Sequence, residues 1–222
     1  MLTHRPSIQA VIFDLDGTLV DSEPIHRDAW RDVLAPFGFE LTDEWFEGWI
    51  GCPEPHLGRV LEEEYRLPIS AAESVRRKQA RFRELASERS FIVPGAREAV
   101  AAFAETGCRL AVCTSCSRSI AEISLKASGL AEAFQVVLTL EDVARPKPDP
   151  EPYLRVAEML GVAPRTSLVF EDSVSGVKAA EAAGMEVLAV GPLDRFLACN
   201  KYRNFSSLKA AADFARVEYF HR

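Results

Sequence analysis

The strongest constraint on this chain is a rhythm. Between Pro94 and Val190, short apolar segments alternate with segments of helix length, and the links between them are short. Arg109–Cys113, Gln135–Leu138, Ser167–Phe170 and Glu186–Val190 are too short for helices, and they read as buried strands. Helices are placed from Pro94-Gly95 to Thr106, Ile120 to Ser128, Asp149-Pro150 to Leu160 and Val174 to Ala183. Each has a glycine directly behind it: Gly107, Gly129, Gly161 and Gly184. Ser206-Ser207 reads as the cap of a final helix. Strand–helix alternation with short links implies an α/β fold with a doubly wound parallel sheet.

Ile8–Phe13 is one more β-branched and aromatic strand, and it belongs with the others. The stretch after it breaks the rhythm. Residues from about 22 to 89 carry only helix signals: Ser22-Glu23-Pro24, Thr42-Asp43-Glu44, Pro53 to Tyr65, and the capping box Ser70-Ala71-Ala72-Glu73. The expected organisation is therefore a core made of residues 1–20 and 91–222, with an all-helical domain inserted over 21–90.

Composition narrows the function classes. The 222 residues carry a formal net charge of −7 and a pI near 5.3. Such a chain lacks the basic stripes that neutralise nucleic-acid phosphates. No apolar run approaches the roughly 20 residues that span a bilayer. The start, Met1-Leu2-Thr3-His4-Arg5-Pro6, has no signal-peptide apolar region, so a cytoplasmic protein is expected, binding neither nucleic acid nor membrane. Five cysteines in scattered positions give no disulfide framework.

Chemistry concentrates at the predicted strand ends. The first strand runs out into Asp14-Leu15-Asp16-Gly17-Thr18-Leu19-Val20-Asp21-Ser22. In open α/β sheets ligands bind just beyond the carboxyl ends of strands, and Gly17 permits a tight, close-approaching backbone there. Two carboxylates at that place can coordinate a hard cation such as Mg²⁺, attack an electrophilic phosphorus and move a proton. An EF-hand fits poorly, because a third acid before the glycine is missing. The second strand ends in Thr114-Ser115, which can bind phosphate oxygens or simply cap a helix. The third is followed by Arg145-Pro146-Lys147-Pro148-Asp149-Pro150, where the flanking prolines restrict the backbone that carries Lys147. The fourth ends in Glu171-Asp172-Ser173, two more carboxylates for a metal or else a solvated acidic turn.

Asp-x-Asp, then Thr/Ser, then Lys-Pro, then Glu-Asp is the order of the four signatures of the haloacid dehalogenase-like superfamily, which this chain resembles from Ile8 to about Gly191. The resemblance is to its β-phosphoglucomutase-like and phosphoglycolate phosphatase-like branch. It implies a Rossmann-like core with a helical cap that closes to exclude water. It also implies that Asp14 is the nucleophile, becoming an aspartyl-phosphate, and that Asp16 is the general acid and then base. Thr114, Ser115 and Lys147 hold the phosphoryl group, beside Gly17. Asp14, Asp16 through its carbonyl, Glu171 and Asp172 hold Mg²⁺. A true dehalogenase is disfavoured, because that branch lacks the second aspartate.

In the helical insert, His26, Ala29 and Trp30 resemble the first cap helix of that branch, and Trp49-Ile50-Gly51-Cys52-Pro53-Glu54 resembles its specificity loop. Trp30 reads as cap core; for His26 a pocket role and a packing role both stay open. Glu54 stands where the mutases carry an arginine for a second phosphate, and a carboxylate there repels one. Lys78 fits a second cationic position of the mutases, whereas Ser117 replaces a lysine beside Arg118. The expected function is a Mg²⁺-dependent phosphatase of a small phosphorylated metabolite, a sugar or polyol phosphate, acting as a monomer or weak dimer. His26, Gly51, Glu54 and Lys78 are its expected substrate contacts. The alternatives are a β-phosphoglucomutase-type mutase and a non-catalytic binding protein. Cys113-Thr114-Ser115-Cys116 is a C-x-x-C, but Cys113 closes a buried strand, so a redox role is disfavoured.

Overall fold

The computed structural model describes residues 7–49, 52, 54–89, 91–192, 196 and 203–220. They fall into two compact units. One is Ser22–Phe91; the other comprises the residues up to Asp21 and those from Ile92 onward.

The Ser22–Phe91 unit holds helices α1 (Glu23–Leu34), α2 (Asp43–Glu47), α3 (Glu54–Glu63) and α4 (Ala71–Glu88). α1 starts with Pro24 in its first turn and buries Ile25, Ala29, Trp30, Val33 and Leu34 on one stripe. It tightens into a 3₁₀ turn over Ala35–Phe37, at Pro36, and stops at Gly38. Thr42 caps α2, accepting from the Trp45 N–H at 3.1 Å. Ser70 caps α4, accepting from the Glu73 N–H at 3.2 Å. The second half of the expected capping box is not made. The Glu73 carboxylate instead accepts from Arg76 and Arg77, and the Ala71 N–H donates to Glu62 at 2.7 Å. Charge-assisted bonds one turn away outcompete the return bond to the cap. Trp30, Leu34, Leu41, Phe46, Leu57, Leu61 and Leu67 form this unit's core.

The second unit is built on six parallel strands: β1 (Ala10–Phe13), β2 (Arg109–Cys113), β3 (Val136–Leu138), β4 (Ser167–Glu171), β5 (Glu186–Val190) and β6 (Arg203–Phe205). Their order is β3-β2-β1-β4-β5-β6. β1 is central, with Phe13 opposite both Val112 and Phe170. Every residue of β1 and β4 is buried, as expected for strands covered on both faces. α5 (Ala96–Glu105), α6 (Arg118–Ser128), α7 (Glu151–Leu160), α8 (Val174–Ala182) and α9 (Leu208–Ala215) complete the unit. One face packs Ile12, Ala111, Val169 and Val187 against Tyr153, Val156 and Ala180. Another cluster joins Phe13, Phe103 and Phe170, with the Phe13 and Phe170 rings stacked at 5.1 Å.

The chain builds β1, β2 and β3 to one side, then returns to place β4 on the other side of β1. The strand order therefore reverses between β1 and β4, and their carboxyl ends form a topological switch point. β6 is not apparent in the sequence. It is three residues at a sheet edge, with Phe205 its sole apolar residue, and so gives no periodic signal. Among the described residues no helix is long and apolar enough to cross a membrane.

Candidate active site

Asp14 lies just past the end of β1, and its N–H donates to the Phe170 carbonyl of β4 at 2.9 Å. The residue is 7% exposed. The chain then doubles back: Gly17 N–H reaches Val20 O at 2.7 Å, and Leu19 N–H reaches Leu15 O at 2.9 Å. Gly17 has φ +86°, and a Cβ there would overlap the Asp172 carboxylate. This turn, open only to glycine, is what lets the first strand end approach the fourth. Asp16 in the same turn is half-buried.

Lys147 comes from the loop before α7, where the Asp149 N–H closes onto Pro146 O at 3.0 Å. The side chain is 4% exposed. Its ammonium donates to Asp14 Oδ1 at 2.7 Å, to Glu171 Oε1 at 2.6 Å and to the Cys113 carbonyl at 2.8 Å. One cation thus ties together the ends of β1, β2 and β4. Glu171 is fully buried. Its Oε1 also accepts from the Tyr153 hydroxyl at 3.0 Å, and its Oε2 accepts from the Ser173 N–H and Oγ, both at 2.9 Å. Thr114 is buried, and its Oγ1 accepts from the Cys116 N–H at 3.1 Å; Ser115 is exposed.

Electrostatics follow from this packing. Burial pushes the Asp14 carboxyl well above the usual carboxylate range; Lys147 draws it back, while Glu171 and Asp172 push it up again. Burial alone would lower the Lys147 ammonium, but the Asp14 and Glu171 carboxylates hold it well above its ordinary value. Burial keeps the Tyr153 phenol protonated, with Glu171 adding to the effect. Burial also pushes the Cys113 thiol up to about 12. Cys116 is raised by burial and by the neighbouring Asp16. Neither thiol has the lowered pKa of a redox cysteine.

A divalent cation suits this donor set. One oxygen each from Asp14, Glu171 and Asp172 lies within 4.8 Å of the others. Carboxylate oxygens are hard donors of the kind that such a cation prefers. A cation among them would favour the charged form of Asp14 against the burial that opposes it.

His26, Glu54 and Lys78 are brought together within the helical unit. Lys78 is fully buried, and its ammonium contacts Glu54 Oε1 and His26 Nδ1. Gln79 donates to Glu54 Oε2 at 2.9 Å. Burial, then the Lys78 charge, lowers the His26 pKa well below its ordinary value. Gly51 lies outside the described residues. Trp30 is 2% exposed, in the core of the helical unit. Arg118 Nη2 donates to both Asp142 carboxylate oxygens, at 2.7 and 2.6 Å. Sequence reasoning misses Tyr153 and the part Ser173 plays. The available signal for Tyr153 is a tyrosine inside a buried helix stripe, since a buried phenol demands a partner for its hydroxyl.

The family model described as haloacid dehalogenase-like hydrolase matches residues 11–190. A phosphorylated carbohydrates phosphatase of Thermotoga maritima is 36% identical over 179 residues, covering 81% of this chain and 83% of the relative. The fructose-1-phosphate phosphatase of Escherichia coli is 33% identical over 181 residues, covering 81% and 95%. Among solved structures, a CbbY variant of Rhodobacter sphaeroides in complex with xylulose-1,5-bisphosphate superposes with a TM-score of 0.80 at 28% identity, covering 91% and 95%. The match spans all four of the strand ends that carry the acidic, hydroxyl and lysine side chains, and the chain belongs to the haloacid dehalogenase-like hydrolases.

Proposed function

We propose that this haloacid dehalogenase-like phosphatase is Mg²⁺-dependent and hydrolyses the phosphate monoester of a small sugar or polyol through an aspartyl-phosphate on Asp14. The observation that carries the reading is the pair of buried carboxylates, Asp14 and Glu171, sharing Lys147 at the switch point of the sheet.

In this mechanism an Asp14 oxygen attacks phosphorus, and the bond from phosphorus to the sugar oxygen breaks. Asp16 gives its proton to that leaving oxygen. Asp16 then takes a proton from water, the water oxygen attacks the same phosphorus, and orthophosphate leaves with Asp14 restored. Lys147, Thr114 and Ser115 steady the transferring oxygens. Asp14, Asp172 and the Asp16 carbonyl, with Glu171 beside them, would hold Mg²⁺, which supplies charge neutralisation for the transferring group. The transition state is loose, so positioning and charge carry most of the rate.

The helical unit is proposed to read the rest of the substrate through His26, Gly51, Glu54 and Lys78. Two observations support a phosphatase over a mutase. A mutase must grip a second phosphate, which calls for available cations. Here Lys78 is engaged by Glu54, and Arg118 by both oxygens of Asp142. The phosphorylated-carbohydrate and fructose-1-phosphate phosphatases among the relatives support the same substrate class.

The test is phosphate release from a panel of sugar, polyol and short organic-acid phosphates, with Mg²⁺ and with EDTA. The expected result is release from a sugar or polyol phosphate that EDTA abolishes and excess Mg²⁺ restores. Glucose-6-phosphate formed from β-glucose-1-phosphate without net phosphate release would overturn the reading in favour of a mutase.

A further inference from the structure

Glu171 already carries four hydrogen bonds, two on each oxygen. Both of its oxygens are thus held in place. Lys147 likewise spends its three protons on Asp14, Glu171 and Cys113 O. To bind a transferring phosphoryl group, the ammonium must exchange one of these acceptors without leaving the site. The groups that hold its position are then decisive, and Tyr153 touches both halves of the Lys147–Glu171 pair. Its hydroxyl donates to the same Glu171 oxygen that Lys147 uses, and the Lys147 ammonium lies 5.0 Å from its ring centroid. Tyr153 itself is fully buried in α7, packed in the core behind the sheet. It has no path to the substrate, so it acts through its neighbours.

We propose that Tyr153 is a positioning residue: its hydroxyl fixes the Glu171 carboxylate, and its ring steadies Lys147, so that the ammonium faces Asp14. The inference rests on the phosphatase reading for its consequence in turnover, but its geometry stands apart from that reading. Without the hydroxyl, Glu171 Oε1 keeps Lys147 as its sole partner. The pair then closes on itself, and Lys147 is withdrawn from the phosphoryl group.

The decisive variant is Tyr153→Phe, which keeps the ring and the core volume. Two measurements are made on the full chain. One is Mg²⁺-dependent hydrolysis of p-nitrophenyl phosphate; the other is calorimetric binding of beryllofluoride, a phosphoryl mimic, in the presence of Mg²⁺. Losing a hydrogen bond to a charged group corresponds to about ten-fold. The expected result is kcat lowered about ten-fold with KM within about two-fold. Beryllofluoride affinity should fall about ten-fold at unchanged stoichiometry. Tyr153→Leu removes the ring as well and should lower both further per binding site. Unchanged kcat and affinity in Tyr153→Phe would overturn the proposal. So would a kcat loss that merely tracks a fall in binding stoichiometry, which is what a purely structural role gives. If the wild-type chain binds beryllofluoride but releases phosphate from no substrate, the phosphatase reading fails while the binding comparison still tests Tyr153.

Discussion

At the scale of single residues, the site is a problem of charge in a confined space. Asp14 is buried beside two other carboxylates and is balanced by a lysine that it shares. Asp14→Asn keeps the shape, removes one charge and removes the attacking oxygen. It is expected to abolish turnover, to below about a thousandth of wild type, while leaving the fold intact by circular dichroism. Comparable turnover in the purified variant would refute the nucleophile assignment. His26 makes a different prediction. Burial and the Lys78 ammonium lower its folded-state pKa below the ordinary 6.5. Above pH 6.5 it is neutral in both states and its contribution is constant. As the pH falls below 6.5 the unfolded chain takes up a proton that the folded chain refuses, so stability drops, by up to about 1.4 kcal/mol per pH unit, until the folded value is reached. Urea midpoints at pH 7.5, 6.5 and 5.5 should therefore fall more steeply for wild type than for His26→Gln. Parallel slopes would mean that His26 charges freely in the fold.

At the scale of elements, helix α8 shows why local preference and tertiary demand diverge. Ser173 caps it, accepting from the Gly176 N–H at 3.0 Å while donating to Glu171. Gly176, in the first turn, has no room for a side chain: a Cβ would fall within the Glu171 carboxylate. Helix propensity alone says that Gly→Ala gains about 1 kcal/mol. Here the sign reverses. Gly176→Ala should lose about 1–3 kcal/mol, read from urea unfolding, and lose activity with it, because Glu171 must leave its donors. The same contrast governs what the sequence makes legible. Asp14, Lys147, Glu171 and Asp172 are readable because parallel strands end at one edge of a sheet, so residues 14, 147 and 171 can be assigned to one place without knowing the strand order. Tyr153 is not readable that way: it sits in a core stripe, where an aromatic residue is ordinary. The Lys78–Glu54 contact joins two helices whose relative register no local pattern fixes. β6 carries too little apolar character to announce itself.

At the scale of the whole molecule, the alternation of strands and helices made a doubly wound parallel sheet legible, whereas the strand order needed three-dimensional information. The division of the described residues at Ser22 and Phe91 has a temporal consequence. β1 is the central strand, yet Ala10 pairs with Arg109 on one side and with Ser167 on the other. On the ribosome, β1 emerges about a hundred residues before its first partner, a wait of roughly 5–20 s at ordinary elongation rates. During that interval the apolar run Ala10–Phe13 has two bare edges, which is the condition that invites pairing with a foreign strand. The helical unit, whose core among the described residues runs from Trp30 to Leu67, is complete in sequence by then. Synthesis thus supplies the guest before the host, and β1 waits with bare edges until the strands on either side of it exist.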